Sequence, residues 1–249
     1  AEWDGLARQA LEPNVFYEST WILALLRHFG PMPGLLCLFV YLPDGGDPAA
    51  RRLIGFFPFR PSVPRLGRLA RSYRLFNHLL CYLCTPLVHR DHAAAALDSL
   101  LDWIDGAPDG VRLFALYHLR GDGPLGHVFA ERFAARRQPH WTEHGVARAE
   151  FRPAANAEAY LARALPGKTR KELRRPRRRL ADHGPVTLTT RTDDPDGSSA
   201  RDLLALEAET GCQPRPGKHL ATRPAGPAFL AGGPPAAGHQ GPGQTPLRS

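Results

Sequence analysis

Several things are scarce in this 249-residue chain, and each scarcity excludes a class of protein. No apolar run is long enough to cross a bilayer: the longest, Leu35 to Leu42, falls far short of the roughly 20 residues that a spanning helix needs. No secretory h-region opens the sequence. Four cysteines are too few for a disulfide scaffold in a chain of this size. Neither a Gly-x-Ser-x-Gly elbow nor a His-Glu-x-x-His pair occurs, so the common hydrolases gain no support. Lysine is nearly missing as well, supplying three of the 32 basic residues. These exclusions leave a soluble cytoplasmic protein, with no membrane span, as the expectation.

What is present is glycine and proline, 24 and 25 residues, in a chain that is 43% apolar and 22% charged. That balance is globular. The formal net charge of +8 is uneven: residues 1–150 carry 16 basic and 15 acidic side chains, residues 151–249 carry 16 and 9. Most of the excess lies between Lys168 and Arg179, where Glu172 alone opposes eight cations. Such a cluster attracts phosphate, nucleic acid or an anionic surface, or is simply a solvated helix face.

Periodicity predicts the organisation. Phe16 to Phe29 reads as a helix with Trp21, Leu25 and Phe29 on one stripe, stopped by Gly30-Pro31. Leu35–Leu42 and Arg52–Phe59 read as a β-hairpin around a turn-rich loop. Leu75–Leu83 is a third expected strand, Asp91–Ile104 a helix, Val111–Leu119 a strand and Gly126–Arg137 a helix. Strands alternating with helices predict an α/β domain over 1–150. A second unit is expected over 151–210: helical from Ala157 to Ala181 with a bend between Leu173 and Arg177 caused by Pro176, a strand at Val186–Thr192, and a helix at Ala200–Glu209. Residues 211–249, of which 16 are Gly or Pro, are expected to be a disordered tail.

Few residues invite chemistry. Cys81 and Cys84 form a lone C-x-x-C in an apolar stretch, read as buried structural thiols and not as a metal or redox pair. His89 and His92 lack further ligands at metal spacing and read as surface residues at a helix start. No metal is expected. Arg120 to Gly126 is a Gly-rich turn that could hold a phosphate on backbone N–H groups, although Pro124 removes one donor, and an ordinary strand-to-helix connection is the simpler reading.

A set of ordered motifs carries a resemblance. Pro13-Asn14-Val15-Phe16 before Trp21–Leu25, Leu53–Phe59, Thr85-Pro86-Leu87-Val88-His89-Arg90, Leu165–Arg175 and Leu206-Glu207-Ala208 together resemble the CelD-like, BioF2-like or FemAB-like bacterial acyltransferases of the GNAT superfamily, over roughly residues 10–230. The resemblance implies a GNAT-like mixed β-sheet flanked by helices, then a second GNAT-like repeat that is incomplete here, so that the chain reads as C-terminally truncated. It implies transfer of an acetyl group from acetyl-CoA to an amine, on a small-molecule or cell-envelope, polysaccharide-related acceptor. By the same likeness Lys168, Arg170, Lys171 and Arg174 are candidate cofactor or anion contacts, Glu207 a candidate catalytic carboxylate, and Asn77 a weaker substrate candidate.

The family holds pyrophosphate on a Q/R-x-x-G-x-G/A loop. Arg223-Pro-Ala-Gly226-Pro-Ala228 alone fits that pattern, and two prolines remove amides the cradle needs. The truncated form is therefore expected to be impaired. Two other readings stand beside the enzyme: a non-catalytic remnant or interaction module, and a polyanion or nucleic-acid binder using residues 168–179. The sequence leaves the oligomeric state open.

Overall fold

A computed structural model describes residues 1–44, 47–62, 71–106, 111–143, 145–147, 151–187, 189–190, 194, 196–209 and 225–232. The chain divides into two compact units, Ala1–His140 with Asp193–Ser249, and Trp141–Thr192.

The first unit opens with α1 (Glu2–Arg8), a 3-10 turn at Val15–Tyr17 and α2 (Ser19–Phe29). The expected helix starts three residues late because the buried Asn14 side chain accepts the Phe16 N–H and holds a tighter turn there. The Asn14 amide also donates to the carbonyls of Thr85 (2.7 Å) and Leu83 (3.3 Å), tying this turn to a segment far along the chain. Gly30, at φ 78°, ends α2 where a side chain would be strained.

The two apolar runs form the expected hairpin. β1 (Leu36–Asp44) pairs antiparallel with β2 (Asp47–Ser62), from Leu36 opposite Phe59 to Asp44 opposite Asp47. β3 (Arg71–Leu75) and β4 (Leu87–Val88) also pair antiparallel with β2, and β5 (Val111–Ala115) runs parallel to β3. The result is a five-stranded mixed sheet in the order β1-β2-β3-β5, with β4 on β2. A parallel pair needs a crossover, and α3 (Ala93–Asp105) lies within it; α4 (Pro124–Arg136) follows β5. The architecture is α/β, as expected.

β2 is buried continuously from Leu53 to Phe59 because helices cover both faces of the sheet. On one face Phe56 meets Trp3 of α1 at 4.2 Å and Phe39 of β1 at 4.9 Å between ring centroids. On the other, Phe59 meets Trp103 of α3 at 6.1 Å and Phe114 of β5 at 5.1 Å. Side chains two apart share a face, so Phe57 follows Phe59. An added Cβ at Gly55 would lie 2.7 Å from the Phe57 ring and 3.4 Å from Ala96 of α3. Strand and helix approach closely there because position 55 has no side chain.

The third expected strand is corrected. β3 ends at Leu75, the Phe76 N–H makes one more bond to Pro58 O of β2 (2.8 Å), and residues 77–86 leave the sheet while Phe76, Leu80, Cys81 and Cys84 stay buried. The carbonyls that a ladder would have used are taken from the side: the Tyr17 hydroxyl donates to Phe76 O at 2.5 Å, and Asn14 takes Leu83 and Thr85. Burial without pairing makes such a stretch look like a strand in sequence. Asn77, expected in a strand, lies in this irregular segment and is half-buried.

The reading of His89 as a surface residue is also corrected. It is 4% exposed, donates through Nε2 to Gln9 Oε1 (2.5 Å) and accepts the Asp91 N–H at Nδ1 (3.2 Å). Burial, with His92 second, holds its imidazole below the ordinary value. Because the folded state disfavours the proton, the stabilising contribution is present above the unfolded value of about 6.5 and is lost as pH falls through the lowered one. The melting temperature is therefore expected to drop more between pH 7.5 and 5.5 in the natural chain than in His89→Gln; equal drops would remove His89 as the cause.

Two further helices complete the described part of this unit, α7 (Ser198–Glu209), which agrees with expectation, and α8 (Gly226–Gly232). α8 overturns the expectation of a wholly unstructured Gly/Pro-rich end. Phe229 is 4% exposed and belongs to the core: its ring meets Trp21 at 5.3 Å, Phe29 at 5.8 Å and His28 at 6.2 Å, all on α2. Residues 210–224 and 233–249, with most of the expected tail, lie outside the described residues.

The second unit contains α5 (Ala157–Ala164) and α6 (Gly167–Asp182). Asn156 caps α5 by accepting the Ala159 N–H at 2.8 Å. The helical stretch breaks at Leu165-Pro166 and runs on through Pro176 to Asp182, so no break falls between Leu173 and Arg177, where a bend or break was expected. Proline is tolerated at a helix start and costly inside one; Pro166 is the N-cap, just before the first turn, and Pro176 is carried within α6. The expected strand at Val186–Thr192 is not formed by its described residues, 186–187 and 189–190. No described residue of this unit is buried.

Candidate functional site

An anion held by main-chain amides needs a helix start whose N–H groups are unclaimed. Two starts in the first unit, those of α4 and α7, are claimed by carboxylates, and the residues leading into α3 are already hydrogen-bonded. Before α3, the His89 N–H donates to Ile54, Arg90 to Gln9, Asp91 to the His89 ring and His92 to His89 O; residues 76–92 contain no glycine. At α4, the Gly-rich turn expected after a strand is there, and Glu12 already occupies it: Oε1 accepts the Leu125 N–H at 2.8 Å. An added Cβ at Gly123 would strike the Glu12 carboxylate, and one at Gly126 would lie 2.5 Å from Gly121 O. The glycines of this turn admit a packed connection, which is the simpler of the two readings. At α7, Asp194 accepts from Ser199 and Ala200 and Asp196 from Ser198, which holds both carboxyls below the usual carboxylate range.

α6 differs. Its start, like those of α2 and α3, has no side-chain cap, and what sets it apart is a cationic surface. An open cleft of about 310 Å³ is lined, among the described residues, by Lys171, Arg174, Arg175, Arg178 and Arg179. These side chains recur at three- and four-residue spacing, which places them on one helix face. All five are exposed, and among the described residues none forms an ion pair with a carboxylate. Like charges at these spacings destabilise a helix by about 0.2–0.5 kcal/mol per pair, and α6 has no buried face to offset it. Leu173 and Leu180, 51% and 56% exposed, are its apolar line.

Of the expected contacts, Lys171 and Arg174 line this cleft; Lys168 is exposed on the same helix, and Arg170 is half-buried with an unpartnered Nε. Arg175, Arg178 and Arg179 belong to the surface expected for a polyanion binder, residues 168–179, but not to the contacts implied by likeness. The signal that could have found them is the same spacing, obscured by the bend assigned to Pro176. Glu207 lies on α7 and is half-buried, and Asn77 lies in the first unit beyond β3.

Cys81 and Cys84 are buried, as expected, and the Cys81 thiol is pushed up to about 12 by burial and by Cys84. A thiol held protonated is a poor nucleophile near neutrality. Cys212 lies outside the described residues. Among those residues no group of three or more His, Cys, Asp or Glu could hold a metal ion, and no helix is long and apolar enough to cross a membrane.

The residues that are described do not fit a cradle for acetyl-CoA pyrophosphate. Gly226 and Ala228 of the expected Arg223–Ala228 loop fall inside α8, Pro227 between them has no N–H, and positions 223–224 lie outside the described residues. Comparison with protein-family models, with curated proteins and with solved structures finds no match to the chain.

Proposed function

We propose that this chain is a polyanion-binding protein whose working surface is the cationic face of α6. One observation carries the reading: five cations without an ion-pair partner converge on one open cleft, and no carboxylate among the described residues lines it. Phosphate-rich ligands bind such a surface by releasing counterions, so affinity falls linearly with the logarithm of salt concentration, by about 0.9 per phosphate contacted on duplex DNA. Retention on immobilised heparin at low salt, with release in proportion to ionic strength, is the expected result. Passage through the column at about 50 mM salt would overturn it.

A second reading keeps the kinship. The mixed sheet flanked by helices suits an N-acyltransferase acting with acetyl-CoA on an amine acceptor. The polyanion reading expects no saturable heat when acetyl-CoA is titrated into the protein at 150 mM salt. Stoichiometric binding there would restore the enzyme and demand a cradle outside the described residues.

A further inference from the structure

Resting on the polyanion reading, we infer that the ligand class of α6 is duplex DNA, with the helix in the major groove and its cations on phosphates of both walls. The first ground is angular. At about 100° per residue the cations from Arg170 through Lys171 to Arg179 sweep an arc of roughly 180°. A ligand met on half a circumference surrounds the helix; a flat surface or a lone phosphate would need far less. The second is the poverty of the opposite side. A helix lying in a bilayer interface needs a broad apolar face, and α6 offers Leu173, Leu180 and Pro176. The third is the absence of any aromatic residue between Gly167 and Asp182; binding a single strand relies on bases stacked upon such rings.

Dimensions then choose between duplexes. An α-helix with its side chains is about 10–12 Å across, and the major groove of B-form DNA is about 12 Å wide. The A-form RNA groove is too deep and narrow for side chains to enter. From Lys168 to Arg179 the charges extend over roughly 16 Å of helix axis, enough to follow a groove wall past several phosphates. Duplex phosphates also neutralise the like-charge pairs that burden α6 when it is free, so helix and ligand stabilise one another.

The test uses the full chain with four probes: a mixed-sequence DNA duplex of about 20 base pairs, one of its strands, an RNA duplex of the same sequence, and vesicles of about 30% anionic lipid. Anisotropy and co-sedimentation are read between about 50 and 200 mM salt. The DNA duplex is expected to bind tightest, about tenfold or more above the rest. The combined variant Arg174→Gln, Arg175→Gln, Arg178→Gln is expected to flatten the salt slope by about three, at about 0.9 per contact. The single variant Arg174→Gln should flatten it by about one, which covers the case in which the triple variant loses its helix by circular dichroism. Equal binding of RNA duplex, single strand or vesicles would overturn the DNA assignment and leave polyanion binding standing. An unchanged slope in both variants would overturn the assignment to α6, and no binding to any probe or to heparin would overturn both readings.

Discussion

Replacing Phe229 by alanine is expected to destabilise the first unit by about 3–5 kcal/mol, the usual cost of deleting a buried phenyl ring. The ring is enclosed edge-on by Trp21, His28 and Phe29. Such edge contacts add about 0.5–1.5 kcal/mol beyond area alone. Urea unfolding followed by tryptophan fluorescence reads the loss, because Trp21 is one of the partners. Leu203→Ala on α7, at a position 56% exposed, is the control and should cost under about 1 kcal/mol. If Phe229→Ala cost no more than the control, α8 would not be part of the core.

Gly126→Ala and Gly5→Ala make the same chemical change in two helices and are expected to move stability in opposite directions. At Gly126 the new methyl would sit 2.5 Å from Gly121 O and 2.7 Å from Arg120 O. Both are backbone atoms of the turn that Glu12 holds in place, so neither can give way cheaply. The expected loss is about 1–3 kcal/mol after overpacking. At Gly5, in α1, nothing lies within 4 Å of the added methyl. Alanine there reduces the freedom of the unfolded chain and is expected to stabilise by about 0.5–1 kcal/mol. Thermal melts of the two variants against the natural chain decide the matter; matching shifts would refute the packing assigned to the turn before α4.

Much of the sheet was legible because its signals are local. The hairpin of β1 and β2 announced itself through two apolar runs around a Pro/Gly-rich loop, and α3 through Leu97, Leu100 and Leu101 on one stripe before Gly106. What escaped depends on partners distant in sequence. Residues 76–86 are as apolar as a strand, and only Asn14 and Tyr17, far upstream, turn their carbonyls away from a ladder. His89 carries no mark of burial until Gln9 is beside it. Phe229 sits in a segment whose composition argues against order, and one ring reaching a prepared aromatic surface outweighs that composition. The cations of α6 were legible as a run, but their gathering onto one face rested on a helix continuing through Pro176, against the local rule. Glu207 and Asn77 rested on likeness alone, and the geometry adds nothing that makes either a reacting group.

The aromatic surface of α2 is covered by Phe229, with the whole of the second unit intervening in sequence. During synthesis the side of α2 that carries Trp21, His28 and Phe29 must therefore wait uncovered until Phe229, beyond the whole second unit, has left the ribosome. Contacts so remote in sequence form late and slow the approach to the native state, and a greasy surface left open in the interval is where nascent chains adhere to one another. Yield of the native form should thus respond to elongation rate and to holding chaperones more than its final stability would suggest.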